Sequence, residues 1–87
     1  MLYMVIEHYK NKEEVYRRFR EKGRMMPEGV RYVNSWVAED GNTCYQINEA
    51  RSEALLQEWA SHWNDVTDFE WIPVISSQEM SDRMAEK

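Results

Sequence analysis

A lone cysteine, Cys44, leaves no internal disulfide possible, which excludes the cross-linked secreted scaffolds and suits a reducing compartment. Three glycines and two prolines are too few for a disordered or collagen-like chain, and Gly23, Gly29 and Gly41 stand too far apart to cradle a phosphate. No apolar run approaches the roughly 20 residues that span a bilayer, because Leu2 to Ile6 is followed at once by Glu7, His8 and Lys10. The same opening lacks the basic stretch and small-residue cleavage site of a signal peptide, so a cytoplasmic protein with no membrane partner is expected. Positive charge is also short: the net charge is −5, which opposes nonspecific binding to nucleic acid. Lys10 to Arg31 is locally basic, with eight basic residues against four acidic ones. Pairs such as Glu13 with Arg17 and Glu14 with Arg18 read there as a solvated helix face.

What is present is core material. Residues that are 43% hydrophobic and 13% aromatic, in a chain of 87, make one domain with a real interior. Leu2 to Tyr9 is a short apolar run and reads as a strand. Asn11 with Glu14 resembles a capping box, opening a helix over about Lys12 to Lys22 that Gly23 stops. Val30 to Val37 and Thr43 to Glu49 are strands joined at Asp40-Gly41. Ser52 caps a second helix whose Leu55, Leu56, Trp59, Ala60 and Trp63 share a face and which ends at Asn64. Phe69 to Val74 is the last strand, and Pro73 places it at an edge. The order is βαββαβ, with connections long enough for right-handed crossovers. The expected fold is therefore α+β and ferredoxin-like: a four-stranded antiparallel sheet, strands one and three central, with two helices on one face. Residues 1–75 form this domain, and 76–87 form a helical tail capped at Ser76 and Glu79, with Met80 and Met84 as its apolar pair.

One face of such a sheet is left open, and hairpin register decides what it carries. A two-residue Asp40-Gly41 turn pairs Trp36 with Tyr45 and Ser35 with Gln46, mixing polar and apolar groups. A three-residue loop, Glu39 to Gly41, pairs Trp36 with Cys44, Asn34 with Gln46 and Tyr32 with Asn48, and sorts them cleanly. The second is expected, with Val33, Val37, Tyr45 and Ile47 toward the helices and Tyr32, Asn34, Trp36, Cys44, Gln46 and Asn48 on the open face. Leu2, Met4 and Ile6 suit the helix side, which sends Tyr3, Val5, Glu7 and Tyr9 to the open face. An aromatic patch of that kind marks an interface or a ligand site, so a homodimer is expected.

The candidate ligand-binding residues are accordingly Glu7, Tyr32, Asn34, Trp36, Cys44 and Gln46, with Glu7 the candidate general base if burial raises its pKa. Cys44 has no neighbouring base or cation to form a thiolate. His8 and His62 are far apart with no partner at ligand spacing, so no metal is expected, and no residue demands heme or flavin or any other cofactor. Thr43 to Glu49 lacks the basic-glycine-aromatic signature with which the same topology reads RNA.

Met4-Val5-Ile6-Glu7, the segment from Phe19 through Gly23, Pro27 and Gly29 to Tyr32, Ser35-Trp36, Cys44-Tyr45-Gln46 and the helix from Leu56 to Trp63 together resemble the family called domain of unknown function 3303. That family is similar in predicted fold to the dimeric α/β-barrel proteins, in which two ferredoxin-like sheets face each other. The resemblance implies fold and dimer and transfers no catalytic residue. Three functions are consistent with it: a small-molecule binding module with its pocket on the open sheet face, a cofactor-independent enzyme of oxygenase or isomerase type, and a structural dimer with no ligand.

Overall fold

The computed structural model describes residues 1–85. The elements run β1 (Leu2–Tyr9), α1 (Lys12–Lys22), β2 (Val30–Val37), β3 (Thr43–Ala50), α2 (Glu53–Ser61), β4 (Thr67–Val74) and α3 (Ser77–Ala85). The four strands form one sheet in the order β2-β3-β1-β4, every neighbouring pair antiparallel. This is the ferredoxin-like α+β arrangement, with β1 and β3 central and Pro73 on an edge strand. The last two residues of the expected tail, 86 and 87, lie outside the described residues. No helix among the described residues is long and apolar enough to cross a membrane.

Each helix begins where a side chain can cap it. Asn11 Oδ1 accepts from the Glu14 amide at 3.2 Å, Ser52 Oγ from Leu55 at 3.4 Å and Ser76 Oγ from Glu79 at 3.0 Å. Gly23, at φ 66°, ends α1 and returns its N–H to the Phe19 carbonyl. Gly29 is needed for space as well as conformation: φ is 97°, and a Cβ there would sit 2.7 Å from Leu55 Cδ1. α2 stops at Ser61, three residues before Asn64, in a tight turn where His62 and Trp63 bond back to Trp59 and Ala60. Arg18 then bolts α1 to that turn through the His62 carbonyl and both oxygens of Asp65. Of the two expected ion pairs on α1, Glu14 with Arg18 forms, whereas Arg17 bonds Glu14 and Glu21 instead of Glu13.

The core lies between the helices and one sheet face, where Tyr3, Val5, Val30 and Ala50 meet Val15, Leu56, Trp59, Trp63 and Val66. Leu56 is fully buried, a contribution of about 2 kcal/mol by area. This reverses the expected faces of β1 and β3. Tyr3, Val5, Glu7 and Tyr9 pair with Asn48, Gln46 and Cys44 of β3 and with Phe69 and Trp71 of β4, all toward the helices. Leu2, Met4, Ile6, Tyr45 and Ile47 point to the face that no helix covers.

The β2–β3 register departs from the expected one for a definite reason. Trp36 pairs with Tyr45 and Ser35 with Gln46, the pattern of the rejected alternative, while Tyr32 does pair with Asn48. A bulge at Val33 reconciles the two, shifting the alternation by one residue partway along β2. Tyr32, Ser35 and Val37 therefore share the helix face, and Asn34 and Trp36 the open one. At the tip the Ala38 amide bonds the Thr43 carbonyl, and Asp40 Oδ1 accepts from Asn42, so the loop spans Glu39 to Asn42 instead of three residues.

Candidate functional site

α1 does not press its whole length onto the sheet. Val15 is buried, but Tyr16 and Phe19 remain 39% and 40% exposed, and the space beneath them is a cavity of about 150 Å³. A cavity of that order holds a benzene-sized molecule. Its floor is Glu7, Tyr9, Cys44, Gln46, Ser35 and Val37 from the sheet; its walls are Tyr16 and Phe19 from α1 with Trp59 and Trp63. Arg24, in the connector after α1, completes the rim.

Glu7 stands on the central strand β1 and is only 8% exposed. Its Oε2 accepts at 2.8 Å from Nε2 of Gln46, which lies diagonally across on β3, two residues beyond Cys44, the residue that pairs with Glu7. Burial pushes the carboxyl up from 4.5 to about 7, against the downward pull of a Cys44 thiol hydrogen bond and the Arg24 charge. At neutral pH the group exchanges readily between acid and carboxylate, as proton transfer requires. Burial also raises Cys44, reinforced by the charge of Glu7, so its sulfur stays a thiol and is no nucleophile. Tyr9 is raised by the same burial and by Cys44 and Glu7, and stays a phenol. Its ring meets Tyr16 edge-on at 5.9 Å.

Two hydrogen-bonding deficits accompany this cluster. Gln46 Oε1 is buried without a partner, and Asn48, fully buried two residues along β3, has a partner for neither amide atom. Buried polar groups are nearly always satisfied, and Gln46 Oε1, on the cavity lining, is an acceptor open to a donor inside the cavity.

Of the six residues expected to bind a ligand, Glu7, Cys44 and Gln46 line this cavity. Tyr32 stands behind it, its hydroxyl 2.8 Å from Ser35 Oγ and its ring under the Arg24 guanidinium. Asn34 and Trp36 lie on the opposite face; Asn34 Oδ1 accepts from the Ser35 amide, and Trp36 is 57% exposed. The cavity is thus on the helix side of the sheet, not on the open face, because the bulge at Val33 and the phase of β1 turn the polar residues inward. Tyr9, Tyr16, Phe19, Arg24 and Ser35 carry no motif that sequence reading could isolate; Trp59 and Trp63 are legible as one helix face, though only as core. His8 bonds Glu70 at 2.6 Å on the surface, and among the described residues no three His, Cys, Asp or Glu side chains group as metal ligands.

The family model described as domain of unknown function (DUF3303) matches residues 1–87. No curated protein and no solved structure matches the chain. The chain belongs to the DUF3303 family.

Proposed function

We propose that this DUF3303 protein is a homodimeric small-molecule binding protein whose protomers each take a compact ligand into the cavity between α1 and the sheet. The observation that carries the reading is the buried Glu7–Gln46 pair on the cavity floor, with Gln46 Oε1 left as an unused acceptor. Aromatic walls and a few convergent polar groups are the usual composition of a ligand site. The free thiol of Cys44 fits a reducing, cytoplasmic setting.

The dimer is supported by the uncovered sheet face. Trp36, Ile72, Tyr45 and Val33 are 57%, 59%, 42% and 42% exposed there, beside the partly buried Leu2, Met4, Ile6 and Ile47. An apolar surface spread over all four strands is what a second copy covers. α3 buries none of its residues and leaves Met80 and Met84 in solvent, an apolar pair that a partner subunit can also receive.

A second reading shares the same site. A carboxyl with a pKa of about 7 at the base of a cavity is suited to moving a proton, so a cofactor-independent enzyme, isomerase or oxygenase in type, uses Glu7 as acid or base. The first reading is tested by sedimentation together with amide NMR shifts during titration with small aromatic acids, amides and alcohols. A dimer whose Glu7, Cys44 and Gln46 amides respond is expected. A monomer at tens of micromolar would sink the dimer, and no response at those amides to any probe would leave only a structural role. Turnover of a bound probe that Glu7→Gln abolishes, with affinity retained, would move the conclusion to the enzyme reading.

A further inference from the structure

Resting on the binding reading above, we infer that the cavity selects a small planar monocarboxylate, with Arg24 as the residue that receives its anionic end. Arg24 lines the cavity, and among the described residues its guanidinium has neither an ion pair nor a hydrogen bond. A half-buried guanidinium ordinarily spends its donors on a carboxylate or carbonyl. Here the donors are free, yet the group is held in place from several sides.

The guanidinium carbon lies 3.6 Å from the centre of the Tyr32 ring and 5.1 Å from that of Phe19. Such stacking engages the flat faces of the group and leaves its in-plane N–H donors available. The Arg24 backbone is fixed as well: its carbonyl accepts from both Trp59 Nε1, at 2.9 Å, and Trp63 Nε1, at 3.1 Å. The next residue, Met25, has φ 57°, a left-handed conformation that a side chain without a local hydrogen bond seldom adopts. Two indoles and a strained neighbour thus set the position of a cation whose donors have no partner in the fold. That is preorganisation for an external anion.

The remaining lining decides the rest of the ligand. Tyr9, Tyr16, Trp59 and Trp63 offer ring surfaces around about 150 Å³, which suits a flat, benzene-sized body. Gln46 Oε1 calls for an N–H or O–H donor on that body. Glu7, facing Arg24 across the cavity without pairing to it, does not neutralise the guanidinium while it carries its proton. One negative charge on the ligand then balances one positive charge on the wall.

The test uses two near-isosteric probes, 4-hydroxybenzoate and 4-hydroxybenzamide, titrated into the intact protein and followed by calorimetry and by the Glu7, Cys44 and Gln46 amide shifts. The carboxylate is expected to bind about tenfold or more tightly than the amide, as a charge-assisted pair to a half-buried guanidinium implies. Arg24→Gln should abolish that preference while Arg24→Lys keeps part of it. Equal binding of the two probes with the cavity amides responding would overturn the inference about Arg24 and leave the cavity reading standing. Binding of neither would overturn both. If Arg24→Gln fails to fold, the comparison of the two probes on the unaltered protein and on Arg24→Lys still decides.

Discussion

The two faces of this sheet do not divide into apolar inside and polar outside as in a simple globular domain. On β3 the residues turned toward the helices are Cys44, Gln46, Asn48 and Ala50, all buried, while Tyr45, Ile47 and Glu49 face outward. On β1 the inward set includes Glu7, and the outward set is Leu2, Met4, Ile6 and His8. The covered face thus holds Glu7, Gln46 and Asn48 among its core residues, while the middle of the uncovered face is aliphatic. Burying an amide or carboxyl without full hydrogen bonding costs stability, as does leaving aliphatic surface in water. Both costs would be relieved by the proposed ligand inside and the proposed second subunit outside.

The contrast breaks most severely if charge is placed on the uncovered face. Ile47 stands on central β3 beside Met4 of β1 and Asn34 of β2. In the proposed dimer, Ile47→Asp would bury an unpaired carboxylate against the partner's sheet, so the dimer dissociation constant should rise about a thousandfold or more, an effect of roughly 4 kcal/mol. Sedimentation equilibrium reads it directly. Because Ile47 points away from the cavity, the isolated variant protomer should still bind the aromatic carboxylate probe. An unchanged dimer would show that the aliphatic face is not the interface.

The covered face is next in expected effect. Glu7 has a folded pKa near 7 against 4.5 unfolded, so the native protein holds this proton more tightly than the unfolded chain does. The associated stability is present in full below pH 4.5 and is lost as the pH rises to about 7. At roughly 1.4 kcal/mol for each tenfold change, the whole interval is worth about 3 kcal/mol. The groups facing Glu7 are Tyr9 and Cys44 on the sheet, Tyr16 on α1 and Arg24 beyond it, and Arg24 is the one that carries charge near neutrality. Glu7→Gln keeps the shape and an oxygen for Gln46, so the variant should be more stable than the parent at pH 8 and equal to it at pH 4. Urea unfolding at both values measures the difference. A variant less stable at pH 8 would mean that the charged carboxylate is what the fold accommodates.

Local signals made the element order legible: the Asn11, Ser52 and Ser76 caps, the Gly23 stop, Pro73 on an edge strand and the apolar stripe of α2 all appear where the residues put them. The membership of each face was not legible. β1 is apolar at Leu2, Tyr3, Met4, Val5 and Ile6 alike, so alternation gives it no preferred side. Unbroken alternation along β2 wrongly puts Tyr32 on one face with Asn34 and Trp36, because the bulge at Val33 leaves no mark in composition. Sorting polar from apolar residues also presumed that the covered face is the apolar one, which fails when that face holds a polar cavity. Arg24 was out of reach for another reason, since its placement depends on two tryptophans at least 35 residues away.

Asn48 gives the smallest and most discriminating test of the contrast. It is fully buried between Tyr3 and Tyr32 on the covered face, with no partner for its amide oxygen or nitrogen. Each unpartnered group costs about 1–3 kcal/mol of desolvation, and removing both by a near-isosteric apolar residue restores much of that. If the polarity beside the cavity is merely tolerated, Asn48→Leu should stabilise the protein by about 2 kcal/mol in urea unfolding and leave probe binding alone. If instead the amide completes the ligand site next to Gln46, the same substitution should weaken binding of the carboxylate probe whatever it does to stability. A gain in stability with binding unchanged would confine the site to Glu7, Gln46 and Arg24. A gain in stability accompanied by weaker binding would extend the site along β3, with an amide kept for the ligand at the fold's expense.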